Sequence, residues 1–260
     1  MKIEPLEPGL EPVFWKHVMQ DIPHYYFFAF DWKYNREKTE ILLALERQRI
    51  DGMMLVYNER IVQLRGSSEA AAAFLEMLDL EKVEIQSPEA YGQLILKKYK
   101  STLNQSHRIM LMVLRKGEEK FHKKHTTFFE LDAAHSGRIA TIMRDVDPEY
   151  WGDVTSQRIV EGMNQGMNWL GIKAGNELVS IGGTRLTEWA GLIGVVATRE
   201  KHRNKGYATS VVSELVKRIL KEISLAMIFV LSDNQPAIQA YMKVGFKPYK
   251  TYFFMRGIRR

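Results

Sequence analysis

The sequence predicts an α/β chain, an α+β mixed-sheet protein arranged as two similar halves. Three observations carry this. Short apolar runs alternate with longer helical patterns in both halves. The two halves share a rough order: a strand pair, a helix, a short apolar strand, a second helix, a further strand. A charged stretch with one glycine, residues 115–124, separates them. The expected domains are 1–122 and 123–260.

The start is broken by Pro5, Pro8 and Pro12, and a helix can begin at Val13 and run to Met19. The aromatic cluster Tyr25, Tyr26, Phe27, Phe28, Phe30 and Trp32 reads as core. Residues 53–57 and 61–64 read as strands about an Asn58-Glu59 turn. Ser67 and Ser68 suit the N-cap of an Ala-rich helix, 70–78. Strand 83–85, helix 90–99 after Pro88, and the apolar strand 108–114 complete the first half. The second half opens with strand 126–131, and Asp132 caps a helix over 133–143. A loop, 144–153, precedes a helix over 156–163. Strands follow at 168–173, 177–185 and 191–197, the first two joined by Ala174-Gly175-Asn176. A helix over 207–223, a buried strand at 227–231, a helix from Pro236 to a Gly245 stop, and strand 252–255 end the chain. Segments 83–90 and 229–237 align loosely, which suggests a diverged internal duplication.

Composition narrows the function. The chain has 260 residues, 45% hydrophobic and 26% charged, which excludes wholesale disorder. It has no cysteine, which removes disulfides, thiolate catalysis and Cys-ligated metal. Apolar stretches break well before the ~18 residues of a membrane span, and Met1 to Pro5 lacks an apolar signal region. A cytoplasmic protein is expected. The net charge of +6 suggests an anionic partner, and the placement of the charge matters more than its total.

That charge is concentrated at one turn. In residues 199–205, Arg199, Lys201, Arg203 and Lys205 face a single acid, Glu200, and Gly206-Tyr207-Ala208-Thr209 then opens a helix. Free N–H groups at a helix N-terminus, with the dipole behind them, attract anions. Gly206 lets the backbone approach closely, Ala208 keeps the helix entrance small, and Thr209 offers a hydroxyl. The segment lacks the Gly-Lys-Ser/Thr of an NTP-binding loop and the three glycines of a dinucleotide fingerprint. A second pattern is Asn234-x-x-Ala237-x-x-x-Tyr241-x-x-x-Gly245-Phe246. Asn234 stands at a strand end, where its amide can pair with an extended ligand or cap the following helix. Ala237 and Tyr241 share one helix face.

Together the two segments resemble the GNAT superfamily of acyl-CoA-dependent N-acyltransferases, over about residues 126–260. Arg203-Asn204-Lys205-Gly206-Tyr207-Ala208 is similar to the family's pyrophosphate motif, and the Asn234–Phe246 pattern to its second motif. The resemblance implies a mixed sheet whose fourth and fifth strands splay to admit pantetheine. It implies that the amides around Val195, Val196 and Ala197 hold pantetheine and the acyl carbonyl, that Asn234 lies beside the pantetheine arm, and that Tyr241 protonates the departing thiolate. Many relatives carry an acid on or near the fourth strand to deprotonate the amine. Here 192–198 has none, so Glu188 and Glu200 are candidates. Asp145, Asp147 and Asp153 lie in the loop that, by the resemblance, lines the acceptor site. The first half has no such motif: Leu64-Arg65-Gly66-Ser67-Ser68-Glu69 lacks the spacing, so this half resembles a degenerate GNAT copy.

The expected function is acetyl transfer from acetyl-CoA to a primary amine by direct attack, with Tyr241 as general acid. The alternative is a non-catalytic acyl-CoA-binding sensor. The partner expected is a small-molecule or peptide amine, with no nucleic acid and no membrane, and the first domain would shape the acceptor site or a homodimer. His122 to His125 has ligand-like spacing but sits among cations and reads as a surface linker, so no metal site is expected.

Overall fold

The computed structural model describes residues 1–47, 49–102, 108–121 and 127–260. The expected linker 122–125, the 122/123 boundary and the strand start at Thr126 lie outside these. The chain divides into two compact units. One comprises Met1–Met110, Leu231–Asp233 and Lys250–Arg260; the other comprises Leu111–Val230 and Asn234–Tyr249. This differs from a single cut near 120, because two segments distant in sequence, Leu231–Asp233 and Lys250–Arg260, complete the first unit.

The elements of the first half are β1 (Lys2–Pro5), α1 (Glu11–Val18), α2 (Ile22–Tyr34), β2 (Thr39–Glu46), β3 (Arg49–Tyr57), β4 (Ile61–Gly66), α3 (Ser68–Met77), β5 (Lys82–Pro88), α4 (Gly92–Lys98), β6 (Tyr99–Ser101) and β7 (Arg108–Arg115). Those of the second are β8 (Phe128–Leu131), α5 (Ser136–Val146), α6 (Pro148–Trp151), α7 (Ser156–Asn164), β9 (Met167–Ala174), β10 (Glu177–Leu186), β11 (Gly191–Thr198), α8 (Tyr207–Glu222), β12 (Leu225–Leu231), α9 (Gln235–Val244) and β13 (Lys247–Arg259). No helix among the described residues is long and apolar enough to cross a membrane.

In the first unit β1 to β4 form an antiparallel meander. After α3 the chain returns as β5, parallel to β4. Residues Tyr252–Ile258 of β13 then pair antiparallel with β5. Asp21 caps α2 by accepting the His24 amide at 3.2 Å. The aromatic cluster lies on α2 and is largely core, with Tyr26, Phe28, Phe30 and Trp32 buried. Val62, Leu64, Phe74, Ile85 and Tyr99 anchor a second part of this core beneath α3 and α4.

The second unit repeats this order. Strands β8 to β11 form an antiparallel meander, α8 follows, and β12 returns parallel to β11. Helices α5 and α7 cover one sheet face through Ile139, Ile142, Met143 and Ile159, which pack with Trp169, Ile181 and Val195. Helix α8 covers the other, where Val211 and Leu215 lie against Gly182. The 144–153 segment holds the one-turn α6, whose N-cap is Asp147.

Candidate active site

The site begins with a defect in strand pairing. Strands β10 and β11 change register between Gly183 and Thr184, which leaves Gly194 as an extra residue in β11. A bulge bends the strand that carries it. Parallel pairing of β11 with β12 covers Gly191–Ile193 and stops there. Beyond Ile193 the two strands part, and the β11 edge from Gly194 onward is without β12 as hydrogen-bonding partner. Backbone polar groups at such an edge call for other partners, and an extended amide-bearing ligand can supply them.

A cleft of about 870 Å³ lies where the strands part, within the size range of small-molecule sites. Of the residues expected to bind cofactor, Val196, Arg203, Asn204, Gly206, Tyr207, Ala208, Thr209 and Asn234 line it, together with Tyr241. Val195, Ala197 and Lys205 do not line it. Strand alternation turns the Val195 and Ala197 side chains into the core under α5 and α7, so only their backbone amides are candidates for contact. Glu188 is also outside the cleft: it sits in the turn between β10 and β11, at the far end of β11 from Thr198.

At the head of the cleft α8 begins at Gly206, whose φ of +79° is left-handed backbone that glycine adopts without a Cβ penalty. No side chain caps this helix, whereas α2, α3, α7 and α9 are capped by Asp21, Ser67, Thr155 and Asn234. The amides of Tyr207, Ala208 and Thr209 therefore precede the first intrahelical bond, Ser210 N–H to the Gly206 carbonyl at 3.0 Å. Arg203 lines the same end. Arg199 does not belong to this cradle: Nη1 reaches Asp145 Oδ2 at 3.1 Å and Nε donates to the Leu178 carbonyl at 3.1 Å.

At the other wall Asn234 caps α9, accepting the Ala237 amide at 3.2 Å. The cap fixes the helix that carries Tyr241. The Tyr241 ring is 6% exposed and meets Phe246 edge-on at 6.3 Å. Burial alone raises its phenol above the ordinary value, so the hydroxyl stays protonated. Among the described residues nothing hydrogen-bonds that hydroxyl. Gly245, at φ +115°, ends the helix, and a Cβ there would meet the Glu118 carbonyl at 2.5 Å.

His202 was not expected at this site. It lines the cleft, its Nε2 lies 3.5 Å from Glu177, and its buried Nδ1 has no partner among the described residues. Its place in the basic turn is visible in the sequence; its burial is not.

Comparison with known proteins agrees with this fold. Residues 169–255 match the family model described as FR47-like protein. No curated protein sequence matches the chain. A Drosophila protein of known structure superposes with a TM-score of 0.72 at 12% identity, covering 99% of this chain and 97% of that one. An acetyltransferase of the GNAT family from Colwellia psychrerythraea gives 0.58 at 12% identity over 100% of both chains. A tandem GNAT protein from the clavulanic acid biosynthesis pathway gives 0.52 at 11% identity, over 85% of this chain and 82% of that one. The chain has the GNAT superfamily fold, and the FR47-like pattern lies in the stretch that builds the cleft.

Proposed function

We propose that the second unit is an N-acetyltransferase that moves an acetyl group from acetyl-CoA to a primary amine. The observation that carries this is the convergence of three features on one cleft: the parted β11 edge, the uncapped α8 N-terminus and the protonated Tyr241 hydroxyl. Acetyl-CoA supplies an acyl group activated as a thioester. The amides of Tyr207, Ala208 and Thr209, with Arg203, hold the pyrophosphate as an anion at a helix N-terminus. The β11 edge around Val195 to Ala197 pairs with pantetheine amides, and its N–H groups offer an oxyanion site for the attacked carbonyl. Asn234 keeps α9 in place beside the pantetheine arm.

Tyr241 serves the leaving sulfur. Burial makes its phenol a weaker acid than a phenol in water, so its role begins as a hydrogen bond to the developing thiolate. The thiol is completed when a proton lost from the amine reaches that sulfur, with the hydroxyl able to relay it. No covalent enzyme intermediate is required, in keeping with a chain that has no cysteine.

The rival reading is a non-catalytic acyl-CoA-binding module. It keeps the cradle and gives Tyr241 only the packing against Phe246 that its burial already shows. Release of free thiol from acetyl-CoA, measured with a panel of amines, separates the two. Amine-dependent release that disappears in Gly206→Glu supports transfer. CoA binding without thiol release, with any amine, supports the sensor.

A further inference from the structure

The turn that enters α8 holds an uneven set of charges beside the phosphate end of the cleft. Arg199 Nη1 lies 3.1 Å from Asp145 and its Nε 3.4 Å from Glu177, so one guanidinium serves two carboxylates. The second cation available to them is His202, whose Nε2 lies 3.5 Å from Glu177. We infer that His202 takes up a proton from solvent when CoA binds, so that its imidazolium answers both Glu177 and the CoA phosphates. The inference rests on the reading of the cleft as a CoA site, and it holds for the transferase and the sensor alike.

The position of the ring is built into the turn. The Arg199 amide donates to the Val179 carbonyl at 2.9 Å and its Nε to the Leu178 carbonyl at 3.1 Å, which fastens the start of the turn to β10. The His202 amide then donates to the Arg199 carbonyl at 2.9 Å, within the single turn Glu200–His202. His202 and the next residue, Arg203, both line the cleft, at the end where α8 leaves its first amides bare. The His202 side chain is 18% exposed, and its buried Nδ1 has no hydrogen-bond partner among the described residues. No donor aimed at Nδ1 therefore holds the ring neutral.

The surrounding charges favour uptake when an anion arrives. Glu200 and Lys201, on the same turn, are exposed to solvent. From the other elements, Asp147 beyond α5, Tyr207 on α8, and Tyr241 and Lys243 on α9 also line the cleft. The Tyr207 ring centroid is 6.3 Å from that of His202. Among the described residues Glu177 meets no cation besides Arg199 and His202. Phosphate placed beside this group meets an excess of carboxylate unless the imidazolium forms, and such a charge counts for more in a half-enclosed site than in water. Histidine changes charge between about pH 5 and 8, so the proton is available. Coupling is reciprocal: if CoA favours the proton, the proton favours CoA. The share of CoA affinity that depends on His202 should therefore grow as pH falls.

Calorimetric titration of the full chain with CoA near neutral pH, in buffers of different ionisation enthalpy, counts the protons exchanged. Wild-type protein should take up a substantial fraction of a proton more than His202→Gln; proton changes on CoA itself are common to both and cancel. The variant should bind CoA about tenfold more weakly than wild type near pH ~6 and about equally near pH ~8.5. Glu177→Gln keeps the ring and removes the anion that favours its charge, so the pH of greatest uptake should move downward. Equal uptake in wild type and His202→Gln overturns the inference. So does an affinity loss of the same size at both pH values, which is what packing alone gives. If His202→Gln does not fold, an uptake profile in Glu177→Gln identical to wild type overturns it. Absence of CoA binding by wild-type protein at every pH overturns instead the reading of the cleft on which it rests.

Discussion

The two units build the same parting of parallel strands and fill it differently. In the first, β4 and β5 pair over Ile61–Gln63 and Glu84–Gln86; in the second, β11 and β12 pair over Gly191–Ile193 and Ala226–Ile228. Beyond its last paired residue, the first unit places Arg65. The guanidinium donates to the carbonyls of Leu64, Gln86 and His24 at 2.8, 3.3 and 3.2 Å. It also donates to Gln63 Oε1 at 3.2 Å and Gln86 Oε1 at 2.6 Å, and it lies 4.4 Å from the Tyr252 ring. It is almost fully buried, and burial lowers its pKa. The corresponding step of the second unit carries apolar Val195, turned into the core, and the space between the strands stays open.

The helix entrances differ in the same sense. Helix α3 is capped by Ser67, which accepts the Ala70 amide at 3.1 Å and donates its hydroxyl to Asp51. An acid and a cap thus occupy the place where the second unit leaves bare amides at Gly206. One long cation and one short polar cap stand in packed interior where the second unit has an open cleft. This topology supplies a parting, and side-chain chemistry decides whether it is filled or left open.

The largest effect expected from disturbing this comparison is at Arg65. Arg65→Ala leaves Gln63, Gln86 and three carbonyls without their donor around a cavity, at a cost of about 3 kcal/mol or more. Denaturant unfolding should show the loss, low-millimolar guanidinium should recover part of it, and CoA affinity should be unchanged. Unchanged stability would mean that the guanidinium does not hold the first unit closed.

Next in size is Tyr241→Phe. It keeps the ring and its contact with Phe246 but removes the hydroxyl. The turnover number should fall about tenfold to hundredfold, with water replacing part of the role, while CoA affinity and the unfolding midpoint stay near wild type. A folded variant of unchanged turnover would assign Tyr241 to packing.

A smaller effect tests the packed side by pH. Burial, then the charge of Arg65, pushes His24 down to about 3, and its Nδ1 lies 2.7 Å from the Tyr252 hydroxyl. The folded ring is neutral where the unfolded one, near 6.5, begins to protonate. Stability from this group is therefore complete above about pH 6.5 and is lost as pH falls toward 3, by up to ~1.4 kcal/mol per pH unit. His24→Gln should flatten that slope. An NMR titration of His24 with a midpoint near 6.5 would contradict the account.

Much of the second unit was legible because its signals are local. The basic turn, Gly206 and the Gly245 stop each mark a backbone event within a few residues. Other elements depend on partners far away. Strand β2, Thr39–Glu46, was not expected, though its partly alternating burial follows its pairing with β3. Helix α2 is buried on several sides, so the helical period is lost in its aromatic run; the Asp21 cap and Pro23 were the available clue. The last strand extends to Lys247–Arg259 rather than 252–255; at its C-terminal end pairing with β5 carries it through Arg256, Gly257 and Ile258. Arg65 in sequence is one cation before a glycine. Only the fold brings together the five oxygens that make it a plug.

Among the described residues, the second unit's strand parting is open and the first unit's is closed. Calorimetric titration of the full chain with CoA tests it most directly, read as stoichiometry and repeated with Gly206→Glu. In that variant a carboxylate stands at the bare amides, and a side chain must adopt the +79° φ. The expected result is one CoA per chain, lost in Gly206→Glu. Two CoA per chain, or one that survives Gly206→Glu, would contradict it.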